Sequence, residues 1–421
     1  MDVEVLRVVG FDTAEDGHEA VLLTRDGEEE MRISCRNRVS SIENAFGRLM
    51  TQLAPGERLA VVLEAPRAHG RLVFEVASRL GCDMWQVGTV ALNHYRDLEG
   101  QPRKDDHWDA FLAARMAFQR MLGCHVVSNP RPEERMLARL ARARSRLSSQ
   151  RVELMLQFRA ILLELAPVVL HRDWKGPKYD SKAMRMILKR WPAFAGLGRS
   201  KRTTITGILR SCRYKRGRET ETVDDVRRLE EEVVVPAQER AVMAMEIEVF
   251  FNQVELLERS IAELEAQLMA LVKQHPIATK LMEMPGIGYI TAAVLVGELL
   301  PVARNTPEAS SATYAGVTPL SRKSGKSLNG SRLCRGSNKH ILKALFLSSV
   351  ASLQRSALDA AYYDKKRADY QGHPKPHTAA ILALARQRHK VIYRLLTTDA
   401  RYDKERLIAS HLDRQRERRC A

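Results

Sequence analysis

Two predicted β-strands in this chain each end in an acidic residue. Residues 5–12 read Val-Leu-Arg-Val-Val-Gly-Phe-Asp and residues 58–64 read Arg-Leu-Ala-Val-Val-Leu-Glu, so Asp12 and Glu64 follow runs of the kind that is buried in a sheet. In open α/β sheets, ligands bind at the carboxyl ends of the strands. The pattern therefore predicts an N-terminal α/β domain with a ligand site at one edge of its sheet.

A second acidic pair opens a predicted helix. Residues 103–110 read Arg-Lys-Asp-Asp-His-Trp-Asp-Ala and lead into an apolar helix that runs to about Leu122. Asp106 and Asp109 are three residues apart and therefore lie on one helix face, where like charges destabilise an isolated helix. A divalent cation would remove that conflict. The alternative interpretation is that these acids only cap the helix and keep its first turn soluble.

Further short strands complete the predicted N-terminal domain. Residues 19–23 and 31–33 are apolar or alternating, and Asp26-Gly27 supplies a turn between them. Carboxylates with open coordination positions suit Mg²⁺ or Mn²⁺, which bind phosphate oxygens at the same time. The four acids together therefore favour phosphodiester chemistry.

The charge of the chain indicates an anionic polymer as its partner. Its 421 residues include 68 Lys and Arg against 51 Asp and Glu, a net charge of +17. Nucleic acid fits better than a membrane, because no apolar stretch approaches the roughly 20 residues that span a bilayer. The start of the chain does not resemble a signal peptide, so we expect a cytoplasmic protein. The six cysteines are scattered without zinc spacing and are expected to be reduced, structural residues.

The composition beyond residue 125 is helical and basic. A helix is predicted from Pro132 to about Leu165. Residues 171–218 then combine many lysines and arginines with Trp174, Trp191 and Tyr214, a pattern that suits backbone contact and base stacking in RNA binding. An equally weighted alternative is a solvated helical insertion whose aromatic residues anchor a small core.

A heptad pattern predicts a long helix that pairs with another helix. Its apolar positions alternate spacings of three and four along Ile247, Phe250, Val254, Leu257, Ile261, Leu264, Leu268 and Leu271. The partner is either the predicted helix near residues 134–165 of the same chain or another protomer. The prediction favours some intermolecular use of this coiled coil.

Two motifs in the last third of the chain suit contact with phosphate. Pro285-Gly286-Ile287-Gly288 precedes an apolar helix, where backbone N–H groups can seat a phosphate, although a tight turn that packs two helices is the alternative. Ser324-Gly325 lies among Arg322, Lys323 and Lys326, where a serine oxygen could approach a phosphate. By itself the serine segment fits an ordinary flexible loop better.

These motifs together resemble the DEDD transposases of the insertion sequence one-ten family, relatives of the pilin-gene invertases. Residues 104–110 resemble the family signature Lys-Thr-Asp-x-x-Asp-Ala. The C-terminal resemblance runs through the Pro-Gly-x-Gly turn, Gly316-x-x-Pro319, Ser324-Gly325 and Gly336-x-Asn338-Lys339. The family's four acidic positions match Asp12, Glu64, Asp106 and Asp109. Asp105 stands where the signature has Thr and is a rival to Asp106, and Ser321, Ser327 and Ser331 are rivals to Ser324 as the family nucleophile.

The resemblance implies an RNase H-like domain, similar to Holliday-junction resolvases, followed by helical regions. The expected domains are this α/β domain at 1–128, a helical linker and coiled coil at 129–275 with the basic insertion at about 170–225, a mostly helical serine transposase domain at 276–400, and a basic tail at 401–421. Nucleic-acid contacts are expected from Gly286, Gly288, Arg322, Lys323, Lys326, Arg332, Arg335 and Lys339.

The function that this resemblance implies is recombination guided by RNA. The acids would hold Mg²⁺ or Mn²⁺ while Ser324 forms a phosphoserine link to DNA, and a structured bridge RNA would pair with target and donor DNA. The partners would be DNA, this noncoding RNA and further copies of the chain, as a dimer and then a tetramer, in the cytoplasm of a prokaryote near the nucleoid. The alternative is a junction-resolving metal nuclease that uses water. A non-catalytic RNA scaffold is a third and weaker reading.

Overall fold

A six-stranded mixed sheet forms the N-terminal part of the protein. The computed structural model describes residues 6–64, 68–100, 105–121, 123–127, 130–214, 219–324, 328–333 and 337–403. The strand order is β3-β2-β1-β4-β5-β6, with β1 at Leu6–Thr13, β2 at Gly17–Leu23, β3 at Glu29–Arg36, β4 at Arg58–Leu63, β5 at Asp83–Val87 and β6 at Cys124–Val126. Strands β1, β2 and β3 are antiparallel, whereas β4 runs parallel to β1 and β5 runs parallel to β4.

Helices cover both faces of this sheet. They are α1 at Val39–Met50, α2 at Arg71–Arg79, α3 at Thr89–Leu98 and α4 at Asp106–Phe118. Val9 and Phe11 of β1 pack with the core of α1 and α2, whereas Val8 packs with the core of α3 and α4. This alternation follows from the two-residue period of a strand. The expected α/β domain with an RNase H-like fold is confirmed, including the predicted strands around residues 5–12, 19–23, 31–33 and 58–64.

Two long helices form an antiparallel pair in the centre of the chain. They are α5 at Pro132–Leu165 and α9 at Ala237–Gln274, with α6 at Lys182–Arg190, α7 at Arg202–Ser211 and α8 at Glu219–Arg228 between them. Arg144 of α5 pairs with Glu265 of α9, and Arg151, further along α5, pairs with the earlier residue Glu258 of α9. The two helices therefore run in opposite directions. The heptad helix therefore pairs inside the chain, and its use between protomers stays a prediction.

The remaining part of the chain is mostly helical, as predicted. Its helices are α10 at Pro276–Met282, α11 at Tyr289–Val294, α12 at Leu300–Ala303, α13 at Glu308–Tyr314, α14 at Lys339–Ser352, α15 at Ala357–Asp369 and α16 at Pro376–Thr397. Strands β7 at Pro319–Ser324 and β8 at Leu328–Leu333 form a separate antiparallel hairpin. No helix of the described residues is long and apolar enough to cross a membrane.

The chain divides into two compact units. The first combines residues 1–141 with residues 268–421, and the second comprises residues 142–267. In the first unit, the buried Leu137 of α5 belongs to the same core as α10, α11 and α14. The predicted boundaries at residues 128, 275 and 400 stay predictions. Most of the predicted basic tail lies outside the described residues. Among the described residues, Cys35, Cys82, Cys124 and Cys212 are not in disulfides.

Candidate active site

The carboxylates of Asp12 and Glu64 belong to the same face of the sheet. Asp12 lies on the same face of β1 as Val8 and Gly10, and Glu64 lies on the same face as Val62 of β4. The side chain of Val62 packs in the core of α3 and α4 on this face. Phe11 is in register with Leu63 across parallel strands, so the two acids come side by side, one residue further on. The sequence alternation and the register therefore bring both carboxylates to one edge beneath α4.

Gly10 determines how closely α4 approaches this edge. A β-carbon at Gly10 would overlap the carbonyl oxygen of Ala110 and lie 2.7 Å from the amide nitrogen of Ala114. Glycine is therefore required at this position by the contact of the two backbones. Asp106 precedes Ala110 by about one helical turn, so this contact places the start of α4 over the strand end that carries Asp12.

Replacing Gly10 by alanine is expected to lower the free energy of unfolding by about 3 kcal/mol, because the new methyl group must push α4 away from β1. The activity of the site should fall with it, since Asp106 and Asp109 move with the helix. Chemical denaturation measures the loss of stability, and titration with Mn²⁺ measures the integrity of the site. Gly47 of α1 is a matched control, because a β-carbon there meets nothing within 4 Å. Gly47→Ala should leave activity intact and should not destabilise the protein.

The two acids of α4 have different surroundings. Asp109 is 4% exposed, and its Oδ1 accepts hydrogen bonds from Arg96 Nε at 2.8 Å and Nη2 at 2.5 Å. Asp106 is exposed and lines a cleft together with Asp12. Asp109 is therefore held in place by a cation of α3, whereas Asp106 is available to an incoming group.

Asp105 caps the helix. It lies at the N-cap of α4, and its Oδ1 accepts a hydrogen bond from the backbone N–H of His107 at 3.1 Å. This is the usual task of an aspartate at that position. The two candidate metal ligands therefore differ in position, because Asp105 caps the helix and Asp106 lines the cleft.

Asp12 holds its proton more tightly than an ordinary carboxyl group does. Burial, followed by the nearby charges of Asp106 and Asp109 and a smaller contribution from Glu64, raises the pKa of Asp12 to about 6. A carboxylate that is half-buried among three others is a poor place for a fourth negative charge. All four acids therefore act on the same small region.

The cleft beside Asp12 has a volume of about 560 Å³, which is enough for a nucleotide-sized group. Its lining includes Asp12, His18, Glu19, Arg36, Ser41 and Asp106. The buried ring of His18 lies 3.2 Å from Asn37 Oδ1 through Nε2, and burial lowers the pKa of this imidazole. The cleft therefore combines an acidic end with the cation of Arg36.

The four acids match the chemistry of a divalent-metal site. Carboxylate oxygens are the donors that Mg²⁺ and Mn²⁺ prefer, and a bound cation would relieve the repulsion that raises the pKa of Asp12. In the described part of the chain, no three His, Cys, Asp or Glu side chains lie close enough to share one ion. The donor set fits a metal, and the side chains would have to move together to bind it.

Ser324 is the last residue of β7. It is in register with Leu328, and residues 325–327, which include Lys326, lie between the strands and outside the described residues. Two of its rivals, Ser321 and Ser331, face each other in the middle of the hairpin, and Ser327 lies outside the described residues. Where the sequence alone favoured a flexible loop, the segment forms two strands that carry Ser324 to their turn end.

Hydrogen bonds tie together the segments that precede and follow the hairpin. Asn338 donates its backbone N–H to Tyr314 O at 2.8 Å, and its side-chain Nδ2 donates to Tyr314 Oη at 3.2 Å and to Glu298 Oε2 at 3.1 Å. Tyr314 precedes β7, whereas Asn338 follows β8 and caps α14. The buried Glu298 lies in a π-helical turn at Leu295–Leu299. The motif residue Asn338 therefore positions the hairpin base.

The other predicted nucleic-acid contacts are distributed along this region. Gly286 packs against α14, where a β-carbon would overlap Ser348 O, so it serves the tight turn between helices; Gly288 is open to solvent. Arg322, Lys323 and Arg332 lie on the hairpin, and Lys339 is exposed at the first turn of α14. Arg335 lies outside the described residues.

Sequence reasoning missed Arg96 and Glu298. Nothing in the sequence around Arg96 marks it, because its link to Asp109 depends on how α3 packs against α4. Glu298 left a signal: it is the one acid in the apolar run from Ile290 to Ala303 and is 2% exposed. An isolated acid in such a run is expected to have a polar partner, and this partner is Asn338.

A buried chain of polar groups ties α13 to α16. Ser311 Oγ lies 3.2 Å from His389 Nε2, and His389 Nδ1 lies 2.9 Å from Glu308 Oε1. The order of groups is that of a serine-hydrolase triad, but Ser311 has no exposed surface. Because no substrate can reach the hydroxyl, the network is structural and holds the helix that leads into the hairpin.

Comparisons with known proteins agree with this geometry. A transposase family model of the DEDD type of IS110 matches residues 9–167, and one described as the transposase IS116/IS110/IS902 family matches residues 278–364. An insertion element IS110 protein of Streptomyces coelicolor is 27% identical over 94% of this chain and 95% of its own length. The mini-circle putative transposase for IS117, from the same species, is 26% identical over 95% of this chain and 96% of its own length.

Proposed function

We propose a two-part catalytic site for this chain, which belongs to the IS110 family of DEDD transposases. As an insertion-element transposase, it is an enzyme that cuts and rejoins DNA. Members of DEDD families generally depend on a divalent metal. One part of the proposed site is the acidic quartet, and the other is Ser324 on the hairpin.

The observation that supports this proposal is that Asp12, at the end of β1, feels the charges of Asp106 and Asp109 on α4 and of Glu64 after β4. Asp12, Glu64 and Asp106 would hold Mg²⁺, or Mn²⁺ in its place, with Asp109 fixed by Arg96 beside them. The metal, when bound, supplies positive charge to the non-bridging oxygens of a phosphodiester. The protein's own contribution is to hold these acids together against their repulsion.

The serine would perform the covalent step. Ser324 Oγ attacks the phosphorus of a DNA phosphodiester, a bond forms between phosphorus and Oγ, and the bond to the 3′ oxygen breaks. The serine proton passes to water, and the leaving 3′ oxygen takes a proton from water and departs as a 3′-hydroxyl. A 3′-hydroxyl of the partner strand later attacks the phosphoserine and frees the serine. One phosphate ester replaces another at each step, so no nucleotide hydrolysis is needed.

Trapping the covalent intermediate tests this step. The purified enzyme is incubated with Mg²⁺, its guide RNA and a DNA duplex that is radiolabelled on the 3′ side of the cleavage site, then denatured. A labelled protein band whose digest maps phosphate to Ser324 supports the proposal. Cleavage without any labelled protein would instead support the second candidate, a metal nuclease that activates water at the same acids. The convergence of the acids favours that candidate, because a metal site that activates water needs no serine nucleophile.

We also infer that a structured noncoding RNA selects the DNA. In this scheme, RNA loops pair with target and donor strands, while the protein, with its net charge of +17, grips backbone and shape. Changing one loop of the RNA encoded beside the gene, together with the matching target bases, should restore recombination that either change alone abolishes. Recombination that ignores the RNA sequence would overturn RNA guidance and leave the serine chemistry standing.

A further inference from the structure

One segment of the second compact unit, residues 171–214, is strongly basic. Residues 171–214 contain twelve Lys or Arg residues and two acidic ones, Asp173 and Asp180. Eleven of the twelve cations are exposed; the exception is the half-buried Arg185. A surface with so few acids attracts a polyanion through its field before any specific contact forms.

The aromatic residues of this segment belong to its core. Trp174, Tyr179, Trp191 and Tyr214 pack against the buried cluster of α5, α6, α7 and α9. Trp174 Nε1 also donates to Pro177 O at 2.9 Å, and Tyr214 Oη donates to Lys175 O at 2.8 Å. Of the two interpretations of these aromatics, core anchoring is the one that the structure shows. Because their rings are occupied, they provide no platform for stacking unpaired bases.

Some of the cations are neutralised inside the unit. Arg185 pairs with Glu258, Lys189 with Glu255, and Arg202 with Asp224. The acids of α8 and α9 therefore face one set of basic residues. In the described part of the chain, another set has no ion pair: Lys182, Arg190, Arg210 and Arg213.

These four cations surround one contact between α6 and α7. Met186 Sδ lies 3.3 Å from Cys212 Sγ and 4.0 Å from Ser211 Oγ. Lys182 and Arg190 are one turn before and one turn after Met186, so they share its face of α6. Arg210 and Arg213 flank the residues that Met186 touches. These four positions lie beside that contact, with the Arg190 guanidinium 5.7 Å from the centroid of the Trp191 ring, and we call them the α6–α7 basic patch.

Two residues beside the patch are poor choices for stability alone. Gly207 lies in the middle of α7, although a β-carbon there would meet nothing within 4 Å. Such a glycine costs about 1 kcal/mol relative to alanine. Arg213 has a φ of 52° just beyond the helix end, where glycine is favoured. A bare helix face next to a cation in a strained position suits close approach by an external backbone.

We propose that the α6–α7 basic patch is a docking surface for the sugar–phosphate backbone of double-stranded DNA. Duplex DNA presents closely spaced phosphates, and its bases are already stacked, so it needs cations and open space but no free aromatic ring. A transposase acts on DNA duplexes that extend to both sides of the cleavage site. The proposal rests on family membership and is independent of the serine and of RNA guidance.

The test compares full-length variants in a binding assay that requires no cleavage. The patch variant carries Lys182→Ala, Arg190→Ala, Arg210→Ala and Arg213→Ala. The control carries Arg146→Ala, Arg159→Ala, Arg259→Ala and Lys273→Ala, which removes four cations from α5 and α9. Fluorescence anisotropy with a 30-base-pair duplex of arbitrary sequence gives Kd over a range of salt concentrations. Circular dichroism checks that both variants are folded.

The patch variant should bind duplex DNA about 100-fold more weakly at low salt. The slope of log Kd against log salt concentration should show that about three to four fewer ions are released on binding. The control should change that slope by less than one. A single Gly207→Gln change should raise Tm, because Gln is the better helix former, and still weaken DNA binding about tenfold. Equal binding by patch and control variants would overturn the proposal. So would a loss confined to an RNA hairpin of equal length.

Discussion

Replacing Ser324 by alanine should abolish the covalent link between protein and DNA and reduce strand exchange by at least about 10⁴-fold, because in the proposed mechanism its Oγ supplies the attacking oxygen. The fold should not change, since Ser324 lies at the end of β7 beside the turn. The measurement is the radiolabelled protein–DNA band together with recombination of a reporter plasmid. DNA binding, measured by anisotropy, should stay within about twofold of the parent.

Ser321 and Ser331 supply matched controls for that change. They are paired with each other in the same hairpin, and Ser321 is three residues before Ser324 on β7. Alanine at either position should leave the adduct in place. An adduct that survives Ser324→Ala and disappears with one of these would move the nucleophile to the other serine. An adduct that survives all three changes would end the serine mechanism.

Replacing Asp12 by asparagine should remove at least about 99% of strand exchange, as expected for loss of a metal ligand, and at the same time stabilise the protein at neutral pH. Burial and the charges of Asp106 and Asp109 raise the pKa of Asp12 to about 6, above the ordinary value near 4. Between these pH values the folded state keeps a proton that the unfolded state has lost. The free energy of unfolding therefore falls as the pH rises from about 4 to about 6, and asparagine avoids that loss, on the order of 2 kcal/mol.

The pH profile of stability separates this explanation from a simple gain in packing. The Asp12→Asn protein should match the parent near pH 4 and exceed it above about pH 6.5, as measured by urea denaturation at several pH values. Added Mg²⁺ should raise the Tm of the parent more than that of the variant, because the variant has lost one metal ligand. An Asp12→Asn protein that is less stable than the parent at neutral pH would show that burial of the Asp12 charge among the other acids is not the dominant effect there.

Mixing the Ser324→Ala protein with the Asp12→Asn protein tests whether the catalytic site is shared between two protomers. If Ser324 of one protomer acts with the acids of another, then Ser324→Ala and Asp12→Asn proteins together should regain part of the activity that each lacks. A site built within one chain predicts no recovery. The expected result is recovery of about a quarter of the parent rate, because random pairing leaves only some sites with both parts intact.

The acidic site follows from the sequence more directly than the hairpin does. Strand alternation and a terminal acid are local patterns, so they are sufficient to place Asp12 and Glu64 at one sheet edge. The sequence does not predict that position 10 must be glycine, because the residue it contacts, Ala110, is one hundred residues away in the chain. The contact exists only after α4 has packed on the sheet. Long-range packing also explains why Arg96 gave no signal.

The hairpin escaped prediction for a different reason. The residues of β7 from Leu320 to Ser324 and of β8 from Leu328 to Leu333 are largely polar and basic and lack an apolar face. Their pairing is supported by Asn338, Tyr314 and Glu298 at the hairpin base, which come from three separate helical segments. Local sequence preferences cannot predict contacts between segments that are far apart in the chain. The isolated Glu298 in an apolar run could nevertheless have indicated a buried polar partner.

The division of the chain also determines when an enzyme of this kind can form during synthesis. Residues 1–141 share one compact unit with residues 268–421, and the fully buried Glu134 of α5 receives its ion pair from Arg304. A nascent chain that ends before Arg304 lacks this cation and the later helices of the same unit, so we expect its first 141 residues not to reach the folded state described here. Chains terminated before that point should therefore have no transposase activity.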